Sequence, residues 1–347
     1  MKIQKIIFKD TGPLNSNTYD FTDNWTGKIA DKILLSGPNG SGKSIMLGAI
    51  AMLWDAAGYW LDMGKRLPAS HPARVWLKKW GGIAVILQEI PNIPSIGLAF
   101  GESSWIDTIT ASHPEVHWMG DEWNAKSNKQ DTNIIPGYRH DNWCEARKRL
   151  VLTFEEVDTP NVIYLDAEQR RWVTPKRHIG ETASEDPKKR WLVTYQATDE
   201  WNTQLEASLI TLKTARLDLF HSVISDLNNF LKGKYIDPEI RLGENRLRVR
   251  LEGSSNAWHY IDELSAGEHQ VLLLIYLLSR WLQPGGIVLI DEPDLHLHPS
   301  LVAGLLSELE RITTGKNGQL IITSHNPDVW ERYETRGLRI QLGDGNG

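Results

Sequence analysis

Gly37-Pro38-Asn39-Gly40-Ser41-Gly42-Lys43-Ser44 follows the apolar run Ile33-Leu34-Leu35 and leads into the helical pattern of Ile45 to Trp54. The spacing is that of the G-x-x-x-x-G-K-[ST] phosphate loop, in the strand-loop-helix setting that the motif requires. Glycines let backbone N–H groups turn inward around an anion, and the helix that begins beside them adds the positive end of its dipole. Asn39, Gly40, Ser41, Gly42, Lys43 and Ser44 are therefore the candidate nucleotide cradle. Lys43 is placed to reach the β- and γ-phosphates, and Ser44 to offer an oxygen to Mg²⁺. A Gly-rich turn before a helix is the bland alternative, and the motif in its flanks outweighs it.

The 347 residues suffice for one large α/β domain or two smaller ones with a substantial core. With 38 basic and 44 acidic residues, the net charge of −6 excludes a global nucleic-acid coat and leaves room for a regional basic patch. A single cysteine, Cys144, forms no intrachain disulfide, and Met1 to Lys5 lacks the apolar core of a secretion signal. The expectation is a soluble, cytoplasmic protein. Its longest aliphatic run, Val271 to Leu278, is far below the roughly 18 residues of a membrane span.

Lys2 to Lys9 and Thr18 to Thr22 read as strands of an antiparallel sheet beside the nucleotide, with Ile83 to Ile90 and Ile96 to Phe100 as another pair. Residues 58–145 read as a tryptophan-rich insertion, irregular between Gly101 and Trp143. The 15 tryptophans of the chain suit either base stacking or a small aromatic core, and the balanced charge of the window favours the core. Leu150 to Val157 and Val162 to Leu165 read as strands. Arg170 to Arg190 is the most basic stretch and the candidate for DNA or partner contact. Within a helical insertion over 198–235, Thr203 to Leu231 reads as one amphipathic helix, some 45 Å long. Arg241 to Leu251 suggests a strand with a solvated, charged face.

Gly286 to Ile290 is a short apolar run, the mark of a strand buried on both faces, and ends in Asp291-Glu292-Pro293-Asp294. Consecutive side chains on an extended chain point apart, so Asp291 is placed to hold Mg²⁺ while Glu292 addresses the γ-phosphate and an attacking water. Leu320 to Thr323 is a second buried strand, closed by Ser324-His325-Asn326-Pro327, and His325 is placed to reach the same γ-phosphate edge. His296 and His298 lack a third ligand at metal-site spacing. Ser265 and Gly267, ahead of the helix Val271 to Trp281, form another anion-binding helix tip.

Together, Gly37 to Ser44, Leu264 to Gln270, Ile287 to Pro299 and Thr323 to Pro327 resemble the ABC-type ATPases, in the chromosome-maintenance and RecF-like branch. The forms Leu-Ser-Ala-Gly-Glu and Asp-Glu-Pro-Asp-Leu-His-Leu-His-Pro look closest to compact anti-phage ATPases such as the Septu ATPase and the ATPase half of the overcoming-lysogenization nucleases. The resemblance implies a single α/β P-loop domain over 1–347 with an antiparallel N-terminal sheet, a mostly parallel core sheet and helical or irregular insertions. Its signature, Walker B and His-switch lobe would span 240–347.

The same resemblance implies a homodimer that sandwiches ATP and Mg²⁺, with Lys43 and Ser44 of one copy facing Ser265 and Gly267 of the other. Asp291 would hold the metal, Glu292 would polarise water, His325 would sense the γ-phosphate, and Asp294 would lie in the loop crossing the dimer. The family's Q-loop glutamine is Gln169, with Gln88 as the alternative. Only 22 residues follow His325, which implies that a nuclease effector is a separate chain. The implied function is an ATPase gating such an effector in defence against phage or foreign DNA, with DNA and a higher oligomer as further partners. A DNA-repair or chromosome-associated clamp is the runner-up, and the Gly-Glu signature speaks against a transporter subunit.

Overall fold

The computed structural model describes residues 1–124, 132–135, 141–170, 186–198, 204–242, 244, 246–253 and 257–343. Fifteen strands are named in chain order: β1 (Lys2–Lys9), β2 (Thr18–Asp20), β3 (Lys32–Ser36), β4 (Gly82–Gln88), β5 (Ile96–Glu102), β6 (His117–Trp123), β7 (Thr132–Ile134), β8 (Val162–Leu165), β9 (Leu192–Thr194), β10 (Lys234–Ile236), β11 (Arg248–Leu251), β12 (Trp258–Tyr260), β13 (Ile287–Ile290), β14 (Gln319–Thr323) and β15 (Leu338–Gln341). The helices are α1 (Lys43–Met63), α2 (Pro72–Leu77), α3 (Ser103–Ser112), α4 (Asp141–Leu152), α5 (Leu205–Ala215), α6 (Leu217–Phe230), α7 (Ala266–Trp281), α8 (Pro299–Gly315) and α9 (Pro327–Arg336).

The central sheet runs β15-β3-β14-β13-β8-β9, and every pair in it is parallel. Its strands are apolar on both faces, as parallel strands covered on both sides must be. Ile33, Leu35, Leu289 and Ile321 join the core shared with α1, whereas Leu34, Val288, Ile290 and Ile322 join the core beneath α5 to α8. A second sheet, β2-β1-β4-β5-β6-β7, is antiparallel except where α3 crosses over between the parallel pair β5 and β6. α1 packs against strands of both sheets. That position explains why a 21-residue helix, long and apolar enough to match a membrane span, has 72% of its apolar window buried inside the protein.

Several expectations are corrected. The expected strand pair at Ile83 to Ile90 and Ile96 to Phe100 is present as β4 and β5, but the stretch from Gly101 to Trp143 is not irregular: its described residues supply α3, β6, β7 and the start of α4. Leu150 and Val151 extend the buried stripe of α4 with Trp143 and Arg147, so the segment from Leu150 begins as helix and not strand. The single helix over Thr203 to Leu231 is two helices, because Arg216 leaves the helical region (φ −146°, ψ 79°) and serves as the cap of both. Eight residues separate Leu212 from Phe220, a sum of threes and fours that hides such a break.

The arginines around β11 are not a free charged face. Arg246 binds Glu206 and Asp262, Arg248 pairs with Glu244, and Arg250 pairs with Asp237. Of the basic stretch, 171–185 lies outside the described residues, and its two ends, Arg170 and Arg190, are buried.

Several tryptophans build core. Trp54 of α1 stacks on Trp191 at 4.0 Å between ring centroids and 11° between planes, with Trp143 tilted against both. The indole N–H of each stacked partner donates to the other's backbone carbonyl at 2.8 Å, and Arg147 lies 4.4 Å over the Trp191 ring. Trp191→Ala removes both ring packing and a reciprocal bond, and is expected to lower stability by about 3–5 kcal/mol. Urea unfolding followed by circular dichroism checks this, and a loss under about 1 kcal/mol would deny the cluster its role in the core.

Candidate functional site

Because β3, β14, β13 and β8 are consecutive parallel neighbours, the loops leaving their carboxyl ends emerge side by side. They are Gly37 to Gly42, Ser324 to Asn326, Asp291 to His298 and Asp166 to Arg170. The carboxyl edge of an open parallel sheet is where such folds bind ligands.

The phosphate loop turns through left-handed glycines, with φ of 78° at Gly40 and 97° at Gly42. Gly37, at φ 144°, lies so close to the chain after β15 that a Cβ would stand 2.3 Å from the Leu342 carbonyl oxygen. α1 begins at Lys43, leaving its first amides without intrahelical acceptors. The buried Lys43 donates from Nζ to the Gly37 and Pro38 carbonyls, each at 2.9 Å. Burial lowers its pKa against the opposing pull of Glu292 and Asp291.

Across from the loop, one hydroxyl organises the acidic pair. Thr323 donates to Asp291 Oδ1 at 2.6 Å and accepts from the Glu292 amide at 2.8 Å. Glu292 sits in the left-handed region at φ 47°, a strained setting for a residue with a Cβ. Its carboxylate lies 3.4 Å from His325 Nε2. Asp294 Oδ2 accepts from Ser324 at 2.8 Å, which ties the loop after β13 to the loop after β14.

The chain is similar in part to known proteins. Residues 179–329 match the family AAA_21, described as "AAA domain, putative AbiEii toxin, Type IV TA system". Over 87 residues, the chain is 40% identical to the Retron Ec83 probable ATPase of Escherichia coli, covering 22% of this chain and 16% of that protein. Over 152 residues, it is 28% identical to the Septu protein PtuA of Bacillus mycoides, covering 41% of this chain and 21% of that protein. The chain thus spans about a fifth of the length of these relatives. Among solved structures, an SMC head bound to the C-winged helix domain of ScpA superposes with a TM-score of 0.50 over 94% of this chain and 91% of that one, at 12% identity.

The chain has an ABC-like ATPase fold and is similar in sequence to ATPases related to defence systems.

The Gly37 to Ser44 loop, Asp291, Glu292 and His325 converge at one edge of the sheet. Gln169 lies at that edge too, exposed in the turn after β8. Gln88 lies at the opposite edge: it pairs in register with Lys2, and the neighbouring Ile3 amide is held by the Gln319 side chain at the start of β14. Two candidates stand apart, since Ser265 and Gly267 make no hydrogen bond to the P-loop among the described residues. Ser265 is the exposed N-cap of α7 and shares a capping box with Glu268. Burial opposes the Glu268 charge, but the Lys234 ammonium at 2.7 Å and the Ser265 groups outweigh it and hold the carboxyl below its ordinary range. α7 also touches the loop that carries Asp294, because Gln270 donates to the Leu295 carbonyl at 2.9 Å. His298 caps α8, bonding through Nδ1 with Ser300.

The donor set fits a nucleotide triphosphate with Mg²⁺. The Ser41 hydroxyl is buried without a partner among the described residues, the glycines leave the backbone open to an anion, and Asp291 and Ser44 offer the hard oxygens that Mg²⁺ selects. The sequence by itself marks Thr323 only as the end of a strand, and Arg170 as part of a basic run and of a polar Gln-Arg-Arg turn that suits a phosphate-facing or Mg²⁺-facing loop as well as a solvated one.

Gly37→Ala places a methyl against the Leu342 carbonyl and forces a φ that costs about 1–3 kcal/mol. Thermal unfolding and titration with a fluorescent ATP analogue should show a lower Tm and binding weakened at least tenfold. Wild-type binding would contradict the close approach.

Proposed function

We propose that the chain binds ATP with Mg²⁺, hydrolyses it in a head-to-tail homodimer, and uses the cycle to gate a separate effector, a nuclease, in cytoplasmic defence against phage or foreign DNA. The observation that carries this reading is the separation of two half-sites on one chain. Lys43, Asp291, Glu292 and His325 gather at the sheet edge, while the exposed Ser265 helix tip makes no hydrogen bond to them among the described residues. A second copy is the natural source of the missing helix tip, since a two-fold pair offers each surface to the other.

ATP supplies the bond to be cleaved, and Mg²⁺ neutralises its phosphates. The P-loop amides and Lys43 cradle and orient the phosphate chain, with Ser44 and Asp291 directed to the metal. Glu292 takes the proton of the attacking water. His325, within reach of Glu292, orients the γ-phosphate edge, and Asp294 lies in the crossing loop. Ser265 and Gly267 close the site from the partner copy, so the dimer is favoured while ATP is bound and released after hydrolysis. The retron and Septu relatives support the defence setting, and Septu supports a partner chain. The α5–α6 pair, broken at Arg216, is the element placed to pass the motion on.

Complementation tests the dimer. Lys43→Ala and Ser265→Arg should each abolish turnover, and their equimolar mixture should recover about a quarter of the wild-type rate, because half the dimers then contain one intact site of two. Glu292→Gln should bind ATP and remain dimeric without turnover, as judged by light scattering. A mixture that stays dead, or full turnover by a non-associating monomer, overturns the proposal. The effector is tested by co-purification of the full chain from its native host. A nuclease that is recovered with it, and whose activity changes in the Glu292→Gln background, supports gating; recovery of none overturns it.

A further inference from the structure

Arg170 is 2% exposed, yet no carboxylate among the described residues lies within ion-pair distance of it. Its Nε donates to the Asp166 carbonyl at 2.9 Å, and its Nη2 is shared by the carbonyls of Asp291 and Glu292, the latter at 3.1 Å. Nη1 has no partner. Burial brings its pKa down to about 10, against the upward pull of Asp291, Asp166, Glu292 and Asp294. A guanidinium this deep carries a large desolvation cost. Removing it from water to hold three main-chain oxygens is intelligible only if those oxygens must be held in place.

The oxygens held are informative. The Glu292 amide is fixed by Thr323 and its carbonyl by Arg170, so the strained residue is clamped on both sides, and its carboxylate direction follows from that backbone. Arg170 itself closes a one-turn 3₁₀ helix, Glu168–Arg170, whose middle residue is the exposed Gln169. That turn is tied at its start, where Asp166 Oδ1 accepts from the Glu168 amide at 2.8 Å, and beyond β9, where the Gln169 carbonyl accepts from Ala197 at 3.1 Å. Any displacement of Gln169 by a ligand at the sheet edge therefore carries the Arg170 fork, and with it the Glu292 carbonyl.

We infer that Arg170 is a positioning residue that couples the Gln169 turn to Glu292, aligning the carboxylate when the turn engages the bound nucleotide. The inference rests on Glu292 being the base of the proposed ATPase. Lysine keeps the charge but has a single nitrogen in place of the planar fork, so it cannot bridge the Asp166 carbonyl and the acidic pair at once.

The test compares wild type, Arg170→Lys, Gln169→Ala, the double variant and Glu292→Gln in the full chain. Binding of a fluorescent ATP analogue is measured alongside steady-state turnover of Mg-ATP. Arg170→Lys is expected to bind within about threefold of wild type and to turn over at least tenfold more slowly, a kcat loss without a binding loss. The double variant should be no slower than Arg170→Lys within about twofold, because both changes act through one carboxylate. Arg170→Gln, planar and neutral, serves as the second variant should the lysine fail to fold. Turnover near wild type, losses that multiply, or binding and kcat falling in parallel would each overturn the coupling. A wild type that does not hydrolyse ATP, or a fully active Glu292→Gln, would instead overturn the underlying functional reading.

Discussion

The parallel hydrogen bonding of β8, β13, β14 and β3 is the constraint on which the site depends. Parallel strands cannot be joined by tight hairpins, so each returns through a long crossover and every loop of one kind emerges at the same edge. Residues separated by some 280 positions, from Lys43 to His325, thereby reach one rim. The register does the rest: Ile290 pairs with Ile322 and with Leu165, so Asp291, Thr323 and Asp166 follow at equal height. The Thr323 hydroxyl meets Asp291 and the Glu292 amide because of that level alignment.

A buried all-parallel sheet needs cover on both faces. α1 and the second sheet cover one, and α5 to α8 the other. Trp54, Trp60, Trp123, Trp143 and Trp191 belong to the first cover, where their rings supply large apolar surface to the core around α1. The Trp54 and Trp191 indole N–H groups are satisfied by each other's carbonyls. The other cover ends in the exposed helix tip at Ser265, anchored by Glu268 and Lys234. The two covers thus present the phosphate loop and the signature motif from different layers of one molecule.

Strain and buried charge meet at the rim. Glu292 and His296 have positive φ, and Arg170 is a desolvated cation holding carbonyls. Such features are tolerated where neighbouring structure over-determines them, and they cluster where chemistry is done. The remaining arginines near β11 follow the ordinary rule, each matched with a carboxylate.

The phosphate loop, the acidic pair after a doubly buried strand, the helix tip at Ser265 and the strand before His325 were all legible in the sequence. Each is a local pattern whose residue types are dictated by backbone geometry or by the ligand chemistry they would serve. The break at Arg216, the strands β6 and β7, and the choice between Gln169 and Gln88 were not legible. A helix break can preserve threes and fours, short strands full of aromatics look irregular, and a glutamine after an apolar run does not reveal which end of a sheet it occupies. Thr323 and Arg170 were also hidden, since a hydroxyl and a guanidinium become specific only when distant backbone oxygens and amides are brought to them. Local sequence determined which groups this protein carries, and the tertiary structure alone decided which of them meet, because strand order and register are set by packing between residues far apart in the chain.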